Sequence, residues 1–257
     1  MKVTVLTENT AWREDVTAQH GLSLFIETED QKILFDMGQD DTFIHNAKNL
    51  GIDLSKVDIA VISHGHYDHG GGLKAFMQVN DTAPIYLHAY AFGHYYNGTE
   101  KYIGLDQSLR HNSRLVLTKG SRYLSPKLLL TDCNDLHWYS DPWGLNSREA
   151  SAFVPDAFLH EQYLEITEGD KKILISGCSQ KGISNIAGHF QPDVLIGGFH
   201  LNKLEDAEEL KRIADQLRSY RTVYYTGHCT GEKQYAALKA TMGSCLHRLS
   251  AGFAFEV

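Results

Sequence analysis

SHGHYDHGGG, residues 63–72, brings three histidines and one aspartate into six positions and follows them with three glycines. The residues before it, VDIAVIS (57–63), form an apolar run of strand length, so the motif sits where a buried strand ends. At a strand end alternate side chains point the same way, which lets His64 and His66 reach one ion. Asp68 and His69 follow as the chain turns into a helix and address a second position nearby. A single histidine is more often a hydrogen-bonded ring than a ligand, but four donors at this spacing carry a stronger signal. Imidazole and carboxylate suit zinc, iron or manganese, and two such ions a few ångströms apart can activate one water. Gly65 lets the backbone turn between ligands, and Gly70, Gly71 and Gly72 allow backbone to approach the site closely.

Outward from the motif, strands are expected at residues 1–6, 21–28 and 32–36, the last two as a hairpin. A helix is expected over 40–50, where Phe43, Ile44, Ala47 and Leu50 share a face and Gly51 ends it. Another helix is expected over 72–79, then a short strand at 84–88. Between 89 and 154 aromatic and turn residues mix without a clear period, which reads as short strands with binding loops or a lid inserted in one domain spanning 1–257. Regular patterning returns with strands at 163–167 and 172–176, a helix at 183–189, a strand at 193–199, a helix at 204–220, a strand at 222–226, a helix at 232–242 and a closing strand. Two halves, each opening with hairpins and passing into helix–strand units, predict an α+β chain with two mixed sheets face to face and helices outside.

Composition narrows the function. With 42% hydrophobic and 22% charged residues the chain is globular. A net charge of −8 without a Lys/Arg cluster excludes tracking of a polyanionic backbone, so no nucleic-acid partner is expected, while small anionic molecules remain open. Cys133, Cys178, Cys229 and Cys245 show no CxxC pairing. Neither a signal-like apolar stretch nor a run long enough to span a bilayer is present, so no membrane partner and a cytoplasmic location are expected. A homo-oligomer remains open.

The HxHxDH pattern of His64, His66, Asp68 and His69 resembles the metallo-β-lactamase superfamily. TENTAW (7–12), HGLSLFIET (20–28), ILFDMGQ (33–39), NAKNLGIDLSKVD (46–58), EQYL (161–164), ISGCSQKGISNI (175–186), IGGFHL (196–201) and GHCTG (227–231) extend the similarity over nearly the whole chain. They resemble the branch named for a dihydropterin ribofuranosylaminobenzene phosphate synthase. The resemblance implies a four-layer αββα sandwich, His228 as a further metal ligand, and one or two divalent ions, zinc first, with iron, manganese or nickel open. It also implies hydrolysis by metal-activated water, with Asp68 binding metal and orienting or deprotonating that water. His200, after another strand, is expected to face the cleft as an outer ligand-shell residue or a substrate contact.

One departure stands out. The branch usually reads GCSH where this chain has Gly177, Cys178, Ser179 and Gln180, so a neutral amide oxygen stands where an imidazole is expected. Cys178 is either a thiolate ligand or a small buried hydrophobe. His160 is a further candidate to fill the gap. Glu8, Asn9 and Thr10 are expected to line the mouth and bind substrate, against the alternative of a plain polar turn. Tyr86, Tyr90, Phe92, Tyr95, Tyr96 and Tyr102 either stack on a flat substrate or simply pack. Three functions follow: a metal-dependent hydrolase of a small ester, lactone or phosphoester; a pterin-processing transferase using the same metals; and a metal- or ligand-binding protein whose altered GCSQ segment has cost it turnover.

Overall fold

Each strand of the interior alternates its side chains between two cores, and that alternation stacks the layers. On Lys32–Phe35, Ile33 and Phe35 enter the core between the sheets, while Leu34 faces outward onto Phe43 and Ala47 of the helix Thr42–Asn49. On Val194–Ile196, Val194 and Ile196 point inward and Leu195 outward, against Ile213 and Leu217 of the helix Ala207–Ser219. Burying each such side chain contributes about 1.5–3 kcal/mol. The structure, a computed structural model, describes residues 1–138 and 140–257.

The first sheet has the order Ala254–Glu256, Lys2–Thr7, Ser23–Glu27, Lys32–Phe35, Ile59–Val61, Ile85–His88, Leu115–Thr118. Pairing is antiparallel among the first four strands and parallel from Lys32–Phe35 onward. The second sheet has the order Leu246–Arg248, Val223–Thr226, Val194–Ile196, Lys171–Ile175, Tyr163–Glu168, Leu128–Thr131, Arg122–Ser125. Its first four strands are parallel and the rest antiparallel. The two sheets face each other with helices on both outer sides, the αββα arrangement expected.

Helix Ala207–Ser219 begins three residues later than its apolar pattern suggests, because Asp206 is extended and its carboxylate accepts from the N–H groups of Glu208 (2.9 Å) and Glu209 (3.2 Å). Glu208 and Glu209 in the first turn and Arg218 in the last complement the helix dipole.

The segment 89–154 divides. Leu115–Thr118 and Arg122–Ser125 are edge strands of the two large sheets, and Leu128–Thr131 is the strand next to the latter, so the middle of this stretch is part of the sandwich. Tyr95–Asn97, Lys101–Tyr102, Leu145–Glu149 and Ala152–Pro155 form a separate four-stranded sheet, whose Asn97, Lys101 and Leu145 wall the cleft described next. No helix among the described residues is long and apolar enough to cross a membrane.

Candidate metal centre

Parallel strands place their following loops at their carboxyl ends, where ligands to open α/β sheets gather. Here the segments after Ile59–Val61, Lys171–Ile175, Val194–Ile196 and Val223–Thr226 meet in one cleft, bringing His66, Asp68, Cys178, Gln180, His200 and His228 onto a common wall. The HxH turn packs against neighbouring backbone without room for side chains: a Cβ on Gly65 would collide with the Ala91 carbonyl, and one on Gly71 with the carbonyl of Gln39. The glycines thus serve close approach, and none of the four in the motif has a left-handed φ.

Hydrogen bonds fix the protons on three rings. Ser63 Oγ donates to Asp36 Oδ2 at 2.7 Å, so its lone pair accepts from His64 Nδ1 at 2.8 Å. His69 Nδ1 donates to Asp36 Oδ2 at 2.7 Å. His228 Nδ1 donates to Asn9 Oδ1 at 3.0 Å, and the Asn9 amide in turn donates to the His228 carbonyl at 3.3 Å. A neutral imidazole with its proton on Nδ1 presents a bare lone pair on Nε2. His64 Nε2 is buried with no partner, and the Nε2 atoms of His69 and His228 face each other at 3.1 Å. Two lone pairs at that distance repel unless a cation lies between them. Without metal the cation is a proton: burial alone would lower the His69 imidazole, but Asp36 and Asp68 outweigh burial and raise it to about 9. Divalent metal fits the same donors.

Asp68 Oδ2 lies 3.3 Å from His228 Nε2 and 3.8 Å from His69 Nε2, and the exposed His20 meets it at 3.3 Å. Burial opposes ionisation of Asp68, but His69, His20 and His228 outweigh it and hold the carboxyl well below the usual carboxylate range. Cys178 Sγ is 3.1 Å from His69 Nε2, so this cysteine, though buried, turns its sulfur into the cluster. Three overlapping sets of donors, each within 4.8 Å of one another, therefore meet here: His64, His69 and Cys178; Cys178, His228 and Cys229; and His20, Asp68 and His228. The group around His66 is thinner. His66 Nδ1 is 3.2 Å from the Gln180 amide nitrogen, while Gln180 Oε1 and His64 Nε2 are buried and unpaired. Burial and the neighbouring His160 push the His66 imidazole down to about 3, which keeps it neutral; the Gln180 amide occupies its Nδ1 lone pair, which a cation must displace to bind there.

His160 does not replace the missing imidazole. Its Nδ1 accepts the Gly65 N–H at 3.0 Å, so its proton sits on Nε2 and points at Asp156 Oδ2, 3.1 Å away. No lone pair is left for a metal; the ring instead braces the HxH turn. Glu8, Asn9 and Thr10, expected as substrate contacts, line a neighbouring cavity on the other side of His228 rather than the cleft itself. The Glu8 carboxylate is spent on the His228 N–H (2.6 Å), the Thr10 N–H (2.6 Å) and the Thr10 hydroxyl (2.6 Å). His200 does line the cleft. Phe92 and Tyr95 are core residues, Tyr86 packs on the inter-sheet core, and Tyr96 meets Tyr102 edge-on at 5.4 Å. The aromatic side chains that border the cleft are Tyr67 and Trp143, which the sequence pattern did not single out. Asp36, His20 and Asp156 were missed as well. Asp36 has the clearest signal in hindsight: an acid at the end of an apolar strand, with φ 59° and no exposure.

Residues 16–228 match the family model described as the metallo-beta-lactamase superfamily. An uncharacterized protein of Methanocaldococcus jannaschii is 31% identical over 92% of this chain and 93% of its own length. The 7,8-dihydropterin-6-methyl-4-(beta-D-ribofuranosyl)-aminobenzene-5'-phosphate synthase of the same organism is 29% identical over 98% of this chain and 95% of its own. Among solved structures, Tm1679, a metal-dependent hydrolase of the beta-lactamase superfamily, superposes with a TM-score of 0.86 at 28% identity, covering 100% of this chain and 99% of that one. The metallo-beta-lactamase fold protein YhfI of Bacillus subtilis shares the fold, with a TM-score of 0.64 at 16% identity over 100% and 99% of the two chains. The sandwich, the inward-facing imidazole lone pairs and the match across most of the sequence lead to one conclusion: the chain belongs to the metallo-beta-lactamase superfamily.

Proposed function

We propose that this protein is a metal-dependent hydrolase of a small anionic substrate, an ester, lactone or phosphoester, with zinc as its cation. The observation that carries the reading is the pair of Nε2 lone pairs on His69 and His228, 3.1 Å apart and each fixed by a bond on the far side of its ring. Asp68, His69, Cys178 and His228 hold one cation; His64 and His66, with Gln180, hold a second more weakly. A divalent cation there supplies Lewis acidity, polarising the electrophilic centre and lowering the pKa of water. Asp68, oriented by His20, accepts a proton from the attacking water. Lys101 and Lys203 line the same cleft without a carboxylate partner among the described residues, and favour an anion over a neutral molecule. Metal analysis of the purified protein, with a panel of phosphodiesters, lactones and esters, tests the proposal. Bound metal with turnover supports it; metal bound firmly with no turnover across the panel replaces it with the binding-protein reading.

A second reading, a pterin-processing transferase, draws on the 29% identity to the named synthase. In it the same residues help a leaving group depart. A pterin retained through purification, seen by its absorbance and fluorescence, would favour it.

A further inference from the structure

We infer that the cleft continues past His200 into a second chamber, which binds the uncharged, apolar arm of an elongated substrate whose anionic, reacting end lies at the histidine cluster. The placing of that end rests on the function proposed above; the chamber does not. A cavity of about 340 Å³ has a floor of Ile183, Phe199, Leu201, Leu204 and Ile213, and it shares Trp143 and His200 with the metal cleft. It thus adjoins the site across these two side chains, and its size suits a small ring system.

Charge divides the two compartments. In the chamber Arg212 is clamped by Glu209 through two bonds, 2.7 and 2.5 Å, so among the described residues no free cation faces the cavity, and Asp141 adds a carboxylate to its lining. The metal cleft holds Lys101 and Lys203. An anion is therefore favoured on one side of His200 and an apolar group on the other.

The wall between them is built for a polar joint. Both ring nitrogens of His200 are shut off from solvent and have no hydrogen-bond partner, and the Ser184 hydroxyl in the chamber is likewise unpaired. Buried polar atoms rarely stay unsatisfied, and a ligand that turns these side chains toward itself as it crosses the wall would satisfy them. His200 also has φ 54°, a conformation that non-glycine residues seldom adopt. The loop after Val223–Thr226 holds it there: the His200 N–H reaches Cys229 Sγ at 3.2 Å, the Phe199 N–H reaches Thr230 Oγ1 at 3.0 Å, and the Leu201 N–H reaches the Cys229 carbonyl at 3.1 Å. The loop that carries the metal-facing His228 therefore also fixes the partition.

The test is calorimetric binding to the zinc-loaded full chain of two phosphonates that cannot be hydrolysed, N-(2-naphthoyl)aminomethylphosphonate and its N-acetyl counterpart. Both carry the anion and an amide joint, and only the first carries a ring. The naphthoyl compound should bind at least about tenfold more tightly. Leu204→Trp, which fills the chamber, should cut that advantage to within about twofold while leaving the acetyl compound unchanged. Ile213→Trp, a second lining position, repeats the test if the first variant does not fold. His200→Phe should weaken both compounds about fivefold, and His200→Gln should restore them, as expected for one lost hydrogen bond. Failure of either compound to bind, a naphthoyl advantage absent in the parent, or one that survives a folded chamber-filling variant overturns the inference. Binding is read without turnover, so a synthase in place of a hydrolase would leave these results intact. An error in the metal reading would show separately, as acetyl binding indifferent to chelator.

Discussion

Asp36→Asn should weaken metal binding while leaving the fold in place. Asp36 is fully buried and accepts three bonds, each 2.7 Å long: from the Ser63 N–H, the Ser63 hydroxyl and His69 Nδ1. An amide of the same shape keeps the first of these through its remaining oxygen. Its NH2 group then faces a ring nitrogen that had been donating. Two donors cannot share that contact, so His69 must move its proton from Nδ1 to Nε2, the atom that faces His228 and Cys178. The lone pair needed for a cation is consumed without any ligand being touched. Changes to residues that orient a ligand typically cost 10–100-fold in affinity, about 1.4–2.7 kcal/mol. Competition for zinc against a chromophoric chelator measures this, with circular dichroism and a thermal melt to confirm folding. A folded variant that binds zinc within about threefold of the parent would refute the proton assignments on which the metal centre rests.

Gln180→His should tighten retention of a second metal equivalent, read by metal analysis after dialysis; unchanged stoichiometry and affinity would remove position 180 from the ligand set. Stripping metal with a chelator should lower stability by about 4 kcal/mol if the parent is held at a thousandfold excess over Kd, a Tm fall of roughly 8–16 °C in a chain this size. Asn9→Leu, which takes the acceptor from His228 Nδ1, should weaken metal about tenfold or more by the same competition assay. Asp132 accepts from the N–H groups of Gly120 (2.6 Å) and Asn134 (3.0 Å) and pairs with His88 (2.9 Å). Burial would raise this carboxyl, but those bonds outweigh burial and hold it below its ordinary value. Its contribution to stability is therefore present above about pH 4 and is lost as pH falls toward the folded value, so Asp132→Asn should flatten the acid limb of a urea-unfolding series.

The fold was largely legible because period and chemistry agree. Within 57–63 the apolar stretch Ile59–Val61 forms a strand buried on both faces, and the Asn-Leu-Gly stop after the helix Thr42–Asn49 is written in Gly51. The motif histidines are legible for a related reason: donors packed into six positions at a strand end have few other uses. What stayed hidden depends on contacts remote in the chain. Nothing in TENT says that Glu8 spends its charge on an amide 220 positions away. His160 looked like a spare ligand until the Gly65 N–H was seen to occupy its lone pair. The middle of 89–154 was unreadable as sandwich because its strands lie at sheet edges, where Leu117 and Tyr123 face water and blur the alternation.

The bond from the His228 N–H to Glu8, together with the grip of Asn9 on the same imidazole, joins opposite ends of the polypeptide at the heart of the site. Ring closure over so long a span is slow, and it cannot occur until the last quarter of the chain has been made. In the metal centre proposed above, capture of an ion by His228 is accordingly a late step in folding. During synthesis the histidines at 64–69 emerge long before residue 228, so the proposed centre is assembled only when that later segment packs against them.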